Sequence, residues 1–267
     1  MPTFCINAEC SAQRYILVSA DDFSVIDSAN AYEQCEIASL TKIMTAIVAL
    51  EICDELQREV TVSNEAIGVE GSSIYLKSGE VMTIEDLVWA VMLNSANDAS
   101  VALAVACGGT VEDFVHLMNI KAKALCLENT HFENPNGLPS DNHYSCARDV
   151  ALLSCYALSN DAFRKITSSY THYIPYCGTE NGRQLVNHNK MLKLYDGCIG
   201  VKTGYTKSSG RCLVSAAEKD VVRLICVTLS DPNDWADHAA LLDMGFENSV
   251  KNTWKKSEYK NISPNAE

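Results

Sequence analysis

The chain has 267 residues, of which 47% are hydrophobic and 21% charged, so it is long enough to bury one sizeable core. Acidic residues outnumber basic ones by 34 to 21, and the formal net charge of -13 argues against a nucleic-acid-binding surface. No run of 18 apolar residues predicts a transmembrane helix, and residues 1–12 lack the basic start and apolar run of a signal peptide.

Two strands are the first predicted elements, at residues 14–20 and 23–27, with Asp21 and Asp22 supplying the turn between them. Residues 42–52 follow and are apolar on nearly every side, which is typical of a helix covered all round. Residues 72–77 predict a short strand.

Helices dominate the middle of the chain. Thr83 and Asp86 have the spacing of a capping box and open a helix that stops near Asn94. Gly108 and Gly109 end the next helix. The three helices predicted after Asn94 cover residues 98–107, 111–126 and 147–157.

The last third returns to strands, with Gly204 and Gly210 bracketing one turn and a final helix at residues 233–246. The predicted strands are residues 199–202, 212–217 and 221–229. Strands at both ends and helices between them predict a two-lobed α/β fold, with a site in the cleft between the lobes.

A single catalytic domain is expected over residues 1–250, followed by a polar tail at 251–267. Its sheet lobe would comprise residues 1–82 and 160–250, and its helical lobe residues 83–159.

Twelve cysteines are scattered along the chain, with no Cys-x-x-Cys pair and no Cys/His cluster at zinc-ligand spacing. Several lie in apolar segments, where a free cysteine behaves as a small hydrophobic residue. The sequence therefore predicts mostly free, buried thiols. The clearest examples are Cys53, Cys107, Cys155 and Cys226.

Three short motifs carry the candidate chemistry: Ser39-Leu-Thr-Lys42, Ser95-Ala-Asn97 and Lys202-Thr-Gly204. Ser39 and Lys42 are three residues apart at a helix start, so their side chains share one face. A serine hydroxyl is a weak nucleophile that needs an adjacent base. Lys42 can serve if its pKa is lowered by burial, by Lys202 and by the positive end of the helix.

The other motif residues have distinct predicted tasks. Ser95 can relay a proton between Lys42 and a leaving amine, and Asn97 can hold a substrate carbonyl or the lysine ammonium. Lys202 and Thr203 can bind a substrate carboxylate. Gly204, predicted at a strand end, lets a substrate backbone approach closely. The backbone N–H groups of Ser39 and Tyr205 are candidates for an oxyanion hole.

At these motifs the sequence resembles the serine D-Ala-D-Ala carboxypeptidases, the low-molecular-mass penicillin-binding proteins, whose motif set class A β-lactamases share. The resemblance extends over most of the chain, from Tyr15 to Phe246. It is carried by residues 38–46, 71–79, 93–99, 131–138, 143–149, 187–189 and 200–206.

The resemblance implies a serine β-lactamase/transpeptidase-like fold, an antiparallel sheet flanked by helices with an all-helical lobe. It also implies a role for each motif residue: Ser39 as the acylated nucleophile, Lys42 as its base, Ser95 and Asn97 in proton transfer and substrate placement, and Lys202 and Thr203 in carboxylate recognition.

The implied substrate is a peptidoglycan stem peptide ending in D-Ala-D-Ala, and β-lactam antibiotics would acylate the same serine. No metal or cofactor is implied. Because peptidoglycan lies outside the cytoplasm, the implied location is the bacterial cell wall or membrane surface. Many family members continue into a β-rich second domain and a membrane anchor, which this sequence does not show.

Two other functions stay open. A class A β-lactamase would need a carboxylate to activate the deacylating water, and Glu133 is the nearest, weak candidate. A non-catalytic β-lactam or wall-peptide sensor would keep Ser39 and lose turnover. Arg211 is equally a carboxylate ligand or a solvated strand residue.

Other polar residues near the motifs are expected to support loops and helix ends rather than to react. They are His131, His143, His188, Asn187, Asn189 and the Arg148-Asp149 pair.

Overall fold

The computed structural model describes residues 10–176 and 181–262. The strands are β1 (Arg14–Ser19), β2 (Val25–Ala29), β3 (Glu59–Thr61), β4 (Val81–Thr83), β5 (Thr171–Pro175), β6 (Gly182–Val186), β7 (Cys198–Thr206), β8 (Gly210–Lys219) and β9 (Val222–Leu229). The helices are α1 (Lys42–Ile52), α2 (Ile84–Leu93), α3 (Asn97–Gly108), α4 (Val111–Ala124), α5 (Ala147–Leu158), α6 (Asp161–Ser168), α7 (Met191–Leu194) and α8 (Asp234–Ile262).

Both ends of the chain contribute to one five-stranded antiparallel sheet, in the order β2-β1-β9-β8-β7. Strand β1 pairs with β9, so that Leu17 lies opposite Cys226. Strand β2 begins two residues later than predicted, because Phe23 still belongs to the turn with a left-handed φ of 57°. The antiparallel sheet flanked by helices confirms the predicted fold class.

Alternate residues of the sheet face different layers. Leu17 and Leu224 pack with Leu241 and Leu242 of α8 on one face. Ile16 and its neighbours face the other layer, where α5 and the remaining helices cover the sheet. Burying each large aliphatic side chain contributes about 1.5–3 kcal/mol, so this alternation fixes the register.

Helix α1 lies at the centre of the second layer. Its bounds match the prediction, and residues 42–50 are all buried. Helix α2 begins as predicted, because the Thr83 hydroxyl oxygen accepts a hydrogen bond from the Asp86 N–H at 3.0 Å. Helix α3 ends at Gly108 and is capped by Gly109, whose φ is 87°. The N-terminal cap of α2 and the C-terminal cap of α3 therefore both follow from local sequence.

Three further predictions about element bounds are wrong. Residues 72–77 form no strand, because the N–H groups of Ile74 and Leu76 donate to the Asp98 carboxylate at 3.2 and 3.0 Å. Gly204 lies inside β7, since that strand continues to Thr206 before the turn. The last helix continues beyond residue 246, to Ile262.

The sequence patterns also missed α6, α7 and two short two-stranded sheets, β3-β4 and β5-β6. Ten of the cysteines lie in the described segments, and all ten are free thiols. Within those segments no single helix has the length and hydropathy of a membrane span. Helices α3 and α4 reach that hydropathy only when taken together, and they are bent by 85° at their break.

Candidate active site

Ser39 lies in a short 3-10 turn, Ala38–Thr41, that leads directly into α1. Ala38 has a left-handed φ of 47°, and Gly137, with a φ of 81°, packs behind it. A Cβ atom at Gly137 would lie 2.0 Å from the Ala38 carbonyl oxygen, so a side chain does not fit. This backbone contact supports the turn that presents Ser39 to a cleft of about 570 Å³.

The Lys42 amine meets three oxygen atoms. Its Nζ atom lies 2.9 Å from Ser39 Oγ, 2.7 Å from Asn97 Oδ1 and 2.5 Å from the Asn136 carbonyl oxygen. A neutral amine has two N–H donors and one lone pair. The amide and carbonyl oxygens accept the two donors, which leaves the lone pair for the Ser39 hydroxyl proton.

The surroundings of Lys42 favour that neutral form. The side chain has no exposed surface. Burial lowers the pKa of Lys42 well below its usual value, Lys202 lowers it further, and Asp98 opposes the shift. Because removing a charge from water is costly, burial is the larger effect. An uncharged Lys42 can therefore act as the base for Ser39.

Ser95 lies in the loop between α2 and α3, and Asn97 is the first residue of α3. Ser95 has a left-handed φ of 55°, is 5% exposed and lines the cleft. Asn97 donates from Nδ2 to the Glu70 carbonyl at 2.6 Å, and its N–H donates to the Ser72 carbonyl at 2.7 Å. These two hydrogen bonds fix the backbone and the side chain of Asn97, so that its Oδ1 atom faces Lys42.

Strand β7 forms the opposite wall of the cleft. Thr203, Gly204 and Tyr205 line it, whereas Lys202 is 1% exposed and donates to the Thr203 carbonyl at 2.9 Å. Burial lowers the pKa of Lys202 to about 7. A Cβ atom at Gly204 would lie 3.1 Å from the Ser39 nitrogen, so this part of β7 packs closely against the nucleophile turn.

An ion pair stands at the rim of the cleft. The Arg211 guanidinium donates to both carboxylate oxygens of Asp234, at 3.0 and 2.6 Å, and Trp235 lies beside it. The Arg211 side chain is 44% exposed, which leaves its outer edge accessible from the cleft that it lines. His188 also lines this cleft, and burial, with Lys202 nearby, lowers its pKa.

His143 is hydrogen-bonded to Thr41 in the nucleophile turn. Its Nδ1 atom accepts a hydrogen bond from the Glu133 N–H at 3.1 Å, so the ring proton lies on Nε2 and donates to Thr41 Oγ1 at 2.8 Å. Burial lowers the pKa of His143 to about 4, in agreement with a neutral ring. The role is structural, as the sequence predicts.

The other predicted support residues also make local bonds. Arg148 pairs with Asp149 at 2.9 Å. Asn187 donates to the carbonyls of Thr167 and Ser169, and Asn189 accepts the Met191 N–H. His131 Nδ1 lies 2.7 Å from the Asn142 carbonyl oxygen, away from the cleft.

The eight predicted site residues lie in or beside the cleft. Five of them line it. Lys42 is hydrogen-bonded to both Ser39 and Asn97, and Lys202 is buried in β7. Sequence reasoning missed the Asn136 carbonyl and the Asp234 partner of Arg211. A backbone carbonyl has no side-chain signal, although the Asn-Pro-Asn-Gly137 turn marks the loop. The described residues contain no group of three His, Cys, Asp or Glu side chains arranged to hold a metal ion.

Comparison with known proteins agrees with this geometry. The family described as D-alanyl-D-alanine carboxypeptidase matches residues 3–233. The D-alanyl-D-alanine carboxypeptidases DacF of Bacillus subtilis and DacA of Escherichia coli are 38% and 34% identical to the chain, over 88% and 89% of its length. The chain spans 62% and 61% of the length of these two relatives.

Solved structures give the same result for the fold. The crystal structure of the Streptomyces K15 DD-transpeptidase superposes with a TM-score of 0.85 at 28% identity, covering 92% of this chain and 98% of the other. The family match covers far more than half of the sequence, and the motifs that it includes converge on one cleft. The chain therefore belongs to the D-alanyl-D-alanine carboxypeptidase family.

Proposed function

We propose that this protein is a serine D,D-carboxypeptidase that removes the terminal D-alanine from peptidoglycan stem peptides through an acyl-enzyme. One observation carries the proposal: the buried Lys42 amine lies 2.9 Å from the Ser39 hydroxyl, at the edge of a cleft of about 570 Å³. Buried lysines with a lowered pKa are suited to general-base catalysis.

Acylation begins with proton transfer from the Ser39 hydroxyl to the neutral Lys42 amine. The Ser39 oxygen then attacks the carbonyl carbon of the penultimate D-alanine. As Lys42 becomes an ammonium, the Asn97 and Asn136 oxygens at 2.7 and 2.5 Å stabilise the new charge. Ser95, on the cleft wall, gives its hydroxyl proton to the departing amine and takes a proton from the Lys42 ammonium, which returns Lys42 to its neutral form.

The developing oxyanion lies between the N–H groups of Ser39 and Tyr205. The close packing of Gly204 against the nucleophile turn supports this arrangement, because it brings the two backbones together. Removing one oxyanion donor typically lowers kcat by about 10²–10³-fold. These two donors would therefore supply a large part of the rate enhancement.

The terminal carboxylate of the substrate binds at the sheet side of the cleft. Lys202 supplies a positive charge and Thr203 a hydroxyl donor, both from β7. Arg211 offers a second cation at the rim, held in place by Asp234. This arrangement favours peptides with a free C-terminus, because charge-assisted hydrogen bonds to two cations stabilise a bound terminal carboxylate.

Deacylation follows when D-alanine leaves and water takes its place beside Ser39. Lys42 then accepts a proton from that water, and the hydroxide attacks the ester carbonyl carbon. As the bond to the Ser39 oxygen breaks, the Lys42 ammonium returns the proton to that oxygen and restores the hydroxyl. Because peptidoglycan lies outside the cytoplasm, we infer an extracytoplasmic site of action. β-Lactams would acylate the same serine, and the resulting adduct would hydrolyse slowly.

The test combines intact-mass analysis after benzylpenicillin with release of D-alanine from a stem pentapeptide. We expect one covalent adduct and D-alanine release for the wild type and neither for Ser39→Ala. Ser159→Ala, an exposed serine at the end of α5, is the matched control and should behave as wild type.

Two outcomes would replace this function. Rapid turnover of a cephalosporin without D-alanine release would indicate a β-lactamase. The structure gives Glu133 no place in such a reaction, because its carboxylate accepts hydrogen bonds from Ser140 and Asn142 and does not line the cleft. A stable adduct without D-alanine release would indicate a sensor.

A further inference from the structure

Two cysteines meet at the ends of α1 and α3. Cys53 directly follows α1, and Cys107 is the next-to-last residue of α3. Their Sγ atoms are 2.6 Å apart and share a hydrogen bond, and both are free thiols in this structure. A disulfide bond is about 2.05 Å long, so a small rotation of either side chain brings the sulfurs to bonding distance.

The two thiols differ in their electrostatic surroundings. The hydrogen bond with Cys107, followed by the Arg58 guanidinium, lowers the pKa of Cys53 to about 7, whereas the hydrogen bond with Cys53 and burial raise that of Cys107. Arg58 also donates to the Ala106 carbonyl at 3.1 Å, which holds it against the end of α3. A thiolate beside a cation is the form of cysteine that attacks disulfides.

We propose that Cys53 and Cys107 are a modification site, a thiol pair that closes to a disulfide on exposure to a low-molecular-mass disulfide such as oxidised glutathione. The Cys53 thiolate attacks one sulfur of the oxidant, the S–S bond of the oxidant breaks, and one glutathione thiolate leaves with the electron pair. Cys107 then gives its proton to solvent and attacks the Cys53 sulfur. The second glutathione thiolate leaves, so two electrons pass from the protein thiols to the oxidant.

The bond would join residues 54 positions apart. It would tie together the far ends of the two helices whose first turns carry Lys42 and Asn97. Cross-linking a long segment removes conformational freedom from the unfolded chain, so the oxidised protein should be the more stable form. The inference is independent of the reaction proposed above, because neither cysteine lines the cleft.

The test is peptide mapping of reduced protein after incubation with oxidised glutathione. We expect a linked peptide containing Cys53 and Cys107, and an unfolding temperature raised by several degrees, which Cys53→Ser and Cys107→Ser both abolish. Cys155→Ser, a half-buried cysteine on α5, is the matched control and should keep both effects. Recovery of both thiols in alkylated form, or a persistent glutathione adduct on Cys53, would overturn the proposal.

A second variant tests the chemistry without removing a sulfur atom. Arg58→Gln should slow oxidation by about tenfold at pH 7, because less of Cys53 is ionised, and should have little effect at pH 9. An equal effect at both pH values would show that Arg58 acts only through packing and would contradict the activation step.

Discussion

The helical and sheet walls of the cleft each contribute a buried lysine, but they hold it in opposite ways. On the helical wall, Lys42 meets three oxygens and is kept neutral by burial and by the charge of Lys202. On the sheet wall, Lys202 donates to the Thr203 carbonyl, and burial alone lowers its pKa to about 7. In the proposed reaction the helical wall transfers the proton and the sheet wall supplies positive charge, and the charge of Lys202 lowers the pKa of Lys42.

The largest expected effect separates these two tasks. Lys42→Met removes the base and should lower kcat/KM by about 10⁴-fold for any acyl donor. Lys202→Met removes an attraction for carboxylate and should cost about 10²-fold more for a substrate with a free C-terminus than for its amide, beyond the shared effect of a higher pKa of Lys42. The measurement compares D-alanine release from a free peptide with cleavage of its C-terminal amide. Equal losses for the two substrates in Lys202→Met would contradict the division.

Two glycines allow the same comparison at the backbone. Gly137→Ala combines a φ of 81° with a 2.0 Å clash and should lower the free energy of unfolding by about 3 kcal/mol or more. Gly204→Ala introduces milder contacts, at 3.1 Å from both the Ser39 nitrogen and the Ile37 carbonyl oxygen. It should stay within about 1 kcal/mol of wild type but lose about 10²-fold in kcat, because its methyl group shields an oxyanion donor.

Urea unfolding and steady-state kinetics measure the two glycine effects. Gly79→Ala is the control, since its φ is 78° and nothing lies within 4 Å of the added Cβ. It should cost about 1 kcal/mol with normal kcat. A Gly204→Ala protein that is fully active would argue against Ser39 N–H as an oxyanion donor.

Acid should weaken the helical wall through His143. The pKa of this ring is about 4 in the folded protein and 6.5 as an ordinary histidine, so below pH 6.5 the unfolded chain binds more protons. The free energy of unfolding should therefore fall by about 3 kcal/mol between pH 6.5 and 4 from this residue. His143→Gln should lack that part of the loss, measured as the pH dependence of urea unfolding against wild type. An unchanged slope in the variant would contradict the neutral ring.

The smallest effect is on the pH profile of kcat/KM. The acid limb reports protonation of Lys42, and the alkaline limb reports loss of the Lys202 charge above about pH 7. Each limb changes the rate by up to about tenfold per pH unit. In Lys202→Met the alkaline limb should disappear, and the acid limb should move to higher pH, because a cation that lowers the pKa of Lys42 is gone. An acid limb that stays in place would show that the two lysines are not coupled.

The elements whose structure depends on residues close in sequence were predictable. Helix α1 has its predicted bounds because its residues are apolar on every side, and the cap of α2 follows from Thr83 alone. The segment at 72–77 was not predictable, because its backbone donors bind a carboxylate more than twenty positions away, at Asp98. Periodicity contains no information about such distant acceptors.

The candidate site shows the same division. The motif side chains were predictable because their chemistry is encoded in residue type and spacing. Their positioning was not, since Lys42 is completed by the Asn136 carbonyl and Arg211 by Asp234. The description of Gly204 as a strand end failed because the strand continues two residues further, into the cleft wall.

The pairing of β1 with β9 has a consequence for biosynthesis. Leu17 emerges early from the ribosome, but its partner Cys226 follows only after the helices and β8 have been made. Pairings this distant form slowly, because the intervening chain must first be closed into a loop. A nascent chain therefore holds its nucleophile segment long before it has a sheet to set against it, and acylation competence should appear abruptly, once β9 has been made.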